Sequence, residues 1–194
     1  MLKRSLESSL EVGLDEAGRG CLFGPVCVGA VIMKDSDDPL MNEIKDSKKL
    51  SEKKREKLFD FIIKNTLEYS IIFMDHIEID KVNILQATLN GMHKCLDEID
   101  KRVKIENILV DGNSFNAYYS TNQDMFLKSE CIKNGDNIYL NIAAASILAK
   151  VSRDRFIKDL CKDEIYSKYD LEKNKGYGTK RHLEAIKQYG ITEL

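Results

Sequence analysis

Val12-Gly13-Leu14-Asp15-Glu16-Ala17-Gly18-Arg19-Gly20 places two adjacent carboxylates at the end of an apolar run, immediately before a glycine turn. Successive side chains of a strand point to opposite faces, so one of Asp15 and Glu16 is directed toward a core. Burying even a neutral polar group without a partner costs about 2–7 kcal/mol. A chain that keeps both acids here calls for a cation, and hard divalent ions such as Mg²⁺ and Mn²⁺ take oxygen ligands of this kind. Arg19 between two glycines adds a planar donor fork suited to an anionic or hydroxyl-bearing substrate. An isolated Asp-Glu pair would read as a solvent-facing turn; the apolar lead-in and the Gly-Arg-Gly weigh the other way.

Residues 10–17 and 25–34 read as two strands joined by Gly18 to Gly24, the second of them apolar and β-branched. Ser51 suits the N-cap of a helix that follows it. Residues 67–75 read as a third strand, and Ile79 to Ile99 as one long amphipathic helix with Val82, Leu85, Leu89, Met92 and Leu96 on its apolar face. Glu106 to Val110 is a short buried strand ending at Asp111, Met125 to Lys133 a further strand, Asn141 to Leu160 an alanine-rich helix, and Leu171 to Gly190 a loop followed by a helix. Three strands in series, then alternating helix and strand, predict an α/β chain: a mixed sheet flanked by helices on both faces. Residues 1–194 read as a single domain, with the helices from about residue 160 onward as a small C-terminal helical cap.

The composition is 43% hydrophobic and 32% charged, with a net charge of −2, so any nucleic-acid binding must come from local basic patches rather than a global excess. Five scattered cysteines, none spaced as C-x-x-C, speak against a disulfide framework or a zinc site and fit a reducing cytoplasm. The charged N-terminus is unlike a secretory signal, and the longest apolar run, Val26 to Met33, is too short for a membrane span.

Asp111 ends an apolar strand and precedes Gly112-Asn113; ligand sites of α/β sheets collect at such strand ends. The competing reading is a common Asp-Gly turn. A calcium loop is excluded because Phe115 and Asn116 stand where that motif needs an oxygen ligand and a glycine. Asp136, in Lys133-Asn134-Gly135-Asp136, reads on local sequence alone as a turn or cap residue. Gly18, Gly20 and Gly24 approach a dinucleotide fingerprint, but Phe23 replaces the third glycine and Pro25 with a β-branched run follows where a helix should begin. His76, His93 and His182 sit in no motif that supplies a nucleophile.

Taken together, Gly13 to Gly20, Gly24-Pro25-Val26, Asp46-Ser47-Lys48-Lys49-Leu50, Val110-Asp111-Gly112-Asn113, Ala144 to Arg155 and Lys175-Gly176-Tyr177-Gly178-Thr179 give a chain that resembles ribonuclease HII over nearly its whole length. The resemblance implies an RNase H-like fold and a catalytic, metal-binding set of four carboxylates. Asp15, Glu16 and Asp111 match three of them directly. Asp136 is expected as the fourth, with Asp154 as its rival; Lys150 and Lys158, each four residues from Asp154, suit it to a structural ion pair. The resemblance further implies that Gly18, Arg19 and Gly20 read a ribose 2′-hydroxyl, that Tyr177 packs against the neighbouring deoxyribose, and that Lys48, Ser146 and Lys150 hold phosphates. Glycines let main-chain groups approach closely, and the 2′-hydroxyl is what separates RNA from DNA.

The reaction implied is hydrolysis of the phosphodiester 5′ to a ribonucleotide, in RNA–DNA hybrids or at single ribonucleotides in duplex DNA, with two Mn²⁺ or Mg²⁺ ions and 3′-hydroxyl and 5′-phosphate products. A ribonuclease HIII-like hybrid nuclease and a catalytically silent nucleic-acid-binding module on the same fold are the alternatives. The chain departs from the family at Asn134, where a lysine usually stands, and after Ile191, where a Pro-x-His-Arg segment often follows. No membrane partner is expected, a monomer is, and the C-terminus offers no aromatic tail for a sliding clamp.

Overall fold

The computed structural model describes residues 2–5, 8 and 10–194. Five strands form one sheet: β1 (Glu11–Ala17), β2 (Val26–Met33), β3 (Thr66–Met74), β4 (Asn107–Asp111) and, after a small hairpin of β5 (Tyr119–Ser120) and β6 (Met125–Phe126), β7 (Lys128–Ile132). Their spatial order is β3-β2-β1-β4-β7. β1 pairs antiparallel with β2 and parallel with β4, and β4 pairs parallel with β7, so the sheet is mixed as expected.

The helices are α1 (Glu52–Asn65), α2 (His76–Val82), α3 (Ile84–Asp100), α4 (Leu140–Leu160), α5 (Glu164–Ser167), α6 (Leu171–Asn174) and α7 (Lys180–Tyr189). Val12 and Leu14 of β1 pack against Leu96 and Ile99 of α3 on one face of the sheet. On the other, α4 and α1 close over Val31 with Ala143, Ala144, Ile147, Leu58 and Ile62. Glycines on the strands bring the α4 and sheet backbones together. A Cβ at Gly13 would lie 2.3 Å from the Asn141 carbonyl carbon, and one at Gly29 would lie 2.5 Å from Ala145 O. Asn141 pins the start of α4 to two strands: its Nδ2 donates to Glu11 O (2.6 Å) and its Oδ1 accepts from Met33 N (3.0 Å). The C-terminal cap packs Tyr169, Leu171 and Ala185 on Ile157 of α4 and on Phe23.

Three sequence expectations need correction. The helix read over Ile79–Ile99 is two helices, broken at Asn83, whose backbone (φ 71, ψ 164) leaves the helix while its side chain caps Gln86 N. The apolar spacing continues across the break, so periodicity could not reveal it. The strand read over Met125–Lys133 is also two: Leu127 N donates to Tyr118 O (3.0 Å), binding Met125–Phe126 into the hairpin, and only Lys128–Ile132 joins the main sheet. The C-terminal loop carries its own turn of helix, α6, before α7. No helix among the described residues is long and apolar enough to cross a membrane.

Candidate active site

Parallel pairing of Leu14 with Val110 puts Asp15 and Asp111 at the adjacent ends of β1 and β4. Alternation sets both on the α4 face. Gly13, two residues before Asp15, abuts α4, and Leu109, two before Asp111, packs on Tyr139 and Ile142. Asp15 is 6% exposed. Burial pushes its carboxyl well above the usual carboxylate range, and the neighbouring charges of Glu16 and Asp111 push the same way. Its Oδ1 accepts from Glu16 N (2.7 Å), and Ser146 on α4 opposes the upward shift. Glu16 is raised by burial and by Asp111, with Arg19, 3.7 Å from its carboxylate, and Lys48 opposing.

Asp136 joins these acids beside Asp111. A single 3-10 turn, Gly135–Asn137, follows β7 and leads into α4. Gly135 N donates to Asp111 Oδ1 (2.7 Å), and a Cβ at Gly135 would lie 2.6 Å from Ile142 Cδ1, so strand end and helix approach closely here. Asp136 is raised by burial first, then by Asp111 and Asp46. Asn137 Nδ2 donates to its Oδ1 (2.8 Å).

Lys48 is a second cation, besides Arg19, that faces this group. Burial alone would lower its ammonium, but Asp15, Asp46, Asp136 and Asp111 together raise it. It is delivered by another 3-10 turn, Ser47–Lys49, capped by Asp46, whose Oδ1 accepts from Lys48 N (2.9 Å). Ser47 Oγ shares a hydrogen bond with Ser146 Oγ (2.9 Å), tying this turn to α4.

The donor set is all hard oxygen, buried or half-buried and mutually repelling, which suits a divalent cation. The acids are nevertheless not closed into a ligand cluster: among the described residues no three His, Cys, Asp or Glu side chains converge on one point. Asp15, Asp111 and Asp136 each commit one oxygen to a local N–H donor instead.

Asp154, the rival fourth acid, stands apart in an ion-pair network. Lys150 Nζ lies 2.6 Å from its Oδ1 and Arg55 3.8 Å from its Oδ2. The second partner is Arg55 rather than the expected Lys158, and the same contact shows Lys150 engaged with Asp154. The three histidines lie elsewhere: His93 packs on Phe115 and Tyr118, His182 Nδ1 bonds Tyr177 O (3.0 Å), and His76 opens α2.

The Gly18–Gly20 turn lies beside Tyr177. Cys21 and Tyr177 form an isolated antiparallel bridge, and Leu22 N donates to Gly176 O (2.8 Å). Tyr177 is 43% exposed. Sequence reasoning missed Arg153, which organises this region, and Ser47 and Arg55, which tie the Ser47–Lys49 turn to α4. No spacing signal could have found Arg153, because its partners are main-chain carbonyls at residues 23, 25 and 175.

A mixed five-stranded sheet with acids gathered at its central strand ends is the architecture of the ribonuclease H class of nucleases. Residues 12–194 match the family model described as Ribonuclease HII. A ribonuclease HII of Fusobacterium nucleatum is 48% identical over 97% of this chain and 84% of its own length. Among solved structures, the ribonuclease HII of Archaeoglobus fulgidus, determined in a complex with PCNA, superposes with a TM-score of 0.72 at 29% identity, covering 94% of this chain and 90% of that one. A ribonuclease HIII, Bst-RNase HIII in complex with Mn²⁺, shares the fold (TM-score 0.63, 17% identity, 92% of this chain and 69% of that one). The chain belongs to the ribonuclease HII family and is a hydrolytic nuclease, an endonuclease of the ribonuclease H kind.

Proposed function

We propose that the chain hydrolyses the phosphodiester 5′ to a ribonucleotide, in RNA–DNA hybrids and at single ribonucleotides embedded in duplex DNA, leaving 3′-hydroxyl and 5′-phosphate ends. The observation that carries this is the burial of Asp15 against the charges of Glu16 and Asp111 at paired strand ends, with Asp136 held beside Asp111. Asp15, Glu16, Asp111 and Asp136 would hold two divalent ions, Mg²⁺ or Mn²⁺. The chemistry those ions supply when bound is activation of water and stabilisation of the leaving oxygen.

The chain's own residues bind and orient. Main-chain groups of Gly18-Arg19-Gly20 read the 2′-hydroxyl, and Tyr177 takes the deoxyribose on the 3′ side. Lys48, already raised by the acids around it, is set to hold the phosphate as a point charge. Ser146 and Lys150 contact the flanking phosphate, Lys150 sharing its ammonium with Asp154. We place this work in the cytoplasm, in keeping with five free thiols.

The test is cleavage of a labelled duplex carrying one ribonucleotide, beside an all-DNA duplex of the same sequence. The expected result is one cut, 5′ to the ribonucleotide, with Mg²⁺ or Mn²⁺ and none with EDTA. Cutting of both duplexes alike, or of neither with either metal, would overturn the reading.

A further inference from the structure

Arg153 sits on α4 away from the acids, yet it touches both segments assigned to ribonucleotide reading. It is 1% exposed. Its Nε donates to Pro25 O (2.9 Å), Nη1 to Lys175 O (2.7 Å) and Nη2 to Phe23 O (2.8 Å). Its acidic neighbour Asp154 pairs with Lys150 and Arg55 instead. A buried charge is costly unless it is hydrogen-bonded, and here three carbonyl dipoles from two distant segments compensate it.

Three glycines with positive φ border the same guanidinium. A Cβ at Gly18 (φ +102) would lie 2.1 Å from Arg153 Nε; one at Gly176 (φ +87) would lie 3.3 Å from Nη2 and one at Gly24 (φ +79) 3.7 Å from it. The first glycine of the 18–20 turn therefore rests on Arg153, and the carbonyl two residues before Tyr177 is held by it. A Cβ built at Gly20 would in turn lie 3.9 Å from Tyr177 Cε1.

We propose that Arg153 is the positioning residue that sets the spacing between the Gly18–Gly20 turn and Tyr177, and through it the preference for a ribonucleotide followed by a deoxyribose. The proposal rests on the roles proposed for that turn and for Tyr177. Arg153 acts without touching the substrate. Lysine cannot replace it, because an ammonium on a flexible stem cannot deliver three donors in a fixed fork.

The experiment measures single-turnover cleavage at saturating enzyme on two substrates, a duplex with one ribonucleotide and an uninterrupted RNA–DNA hybrid. Saturation counts only bound complexes, so partial unfolding does not move the readout. Arg153→Lys is expected to lose about 10–100-fold more rate on the single-ribonucleotide duplex than on the hybrid, the scale of a misplacement near one ångström. Gly176→Ala disturbs the same seam from the other side, its Cβ falling 2.6 Å from Phe23 O, and should shift the ratio in the same direction. It decides the question if Arg153→Lys does not fold.

Equal losses on both substrates, an unchanged ratio, or failure of both variants to bind duplex at any concentration would overturn the proposal and leave Arg153 a support of the fold. Wild type and Tyr177→Ala run in parallel. A wild type indifferent to the ribonucleotide removes the underlying reading. A Tyr177→Ala that shifts the ratio while Arg153→Lys does not removes only this proposal.

Discussion

Burial and two neighbouring acids all oppose the charge of Asp15. Asp15→Asn keeps the shape and removes that opposition. Cleavage is expected to disappear in either Mg²⁺ or Mn²⁺, while the melting temperature in EDTA stays level or rises; near-normal activity would remove Asp15 from the metal-binding set. The two candidate fourth acids differ by their partners. Asp136→Asn should cost most of the activity and little stability. Asp154→Asn strips a buried ion-pair network of its charge, which costs about 1–3 kcal/mol of stability, and should leave most of the cleavage rate. A dead Asp154 variant beside a healthy Asp136 variant would reverse the assignment. Asp15 and Glu16 were legible because two acids closing an apolar strand carry a burial cost that a bound cation offsets. Asp136 was not legible locally: what distinguishes it from a turn residue is Gly135 N docked on Asp111, a contact across 24 positions of chain.

At the scale of elements, periodicity located β1 to β4 and α4 to within a residue or two, because burial on one or both faces is written directly into apolar spacing. It missed features that depend on one backbone angle. Asn83 is the clearest case. Its φ of 71 and ψ of 164 lie in a region that glycine tolerates and other residues do not, and its side chain offsets the cost by capping Gln86 N (3.1 Å). Asn83→Ala loses the cap and keeps the strain, and should cost about 0.5–2 kcal/mol in urea unfolding. Asn83→Gly loses the cap and relieves the strain, and should lie within about 0.5 kcal/mol of wild type. Equal losses in the two variants would mean that the cap alone matters. The close approach of α4 to β1 and β2 was likewise not legible, because only the folded chain shows that Gly13 and Gly29 meet Asn141 and Ala145.

At the scale of the whole molecule, the strand order β3-β2-β1-β4-β7 could not be read from any single segment, since nothing local says that β4 inserts beside β1. That insertion brings residues 15, 111 and 136 together, while α4 and the C-terminal cap carry Ser146 and Tyr177 to the same edge. The two halves of the cleft have different expected tasks, and these can be separated. Duplex binding should rest on exposed Lys and Arg contacts to phosphate and weaken steeply with salt, because each contact releases counterions. Discrimination should rest on polar groups left unpaired when the 2′-hydroxyl is missing. Tyr177 is half-exposed, beside the Gly18–Gly20 turn, and fixed through His182 Nδ1 on its carbonyl and the bridge to Cys21. Tyr177→Ala should therefore lower single-turnover cleavage at an embedded ribonucleotide by about 10-fold or more, with duplex affinity and its salt slope nearly unchanged. Filter binding of the same labelled duplex across a salt series supplies the comparison. Parallel losses in cleavage and affinity would make Tyr177 a packing or general binding residue, and ribonucleotide choice would then have to lie in the Gly18–Gly20 turn alone.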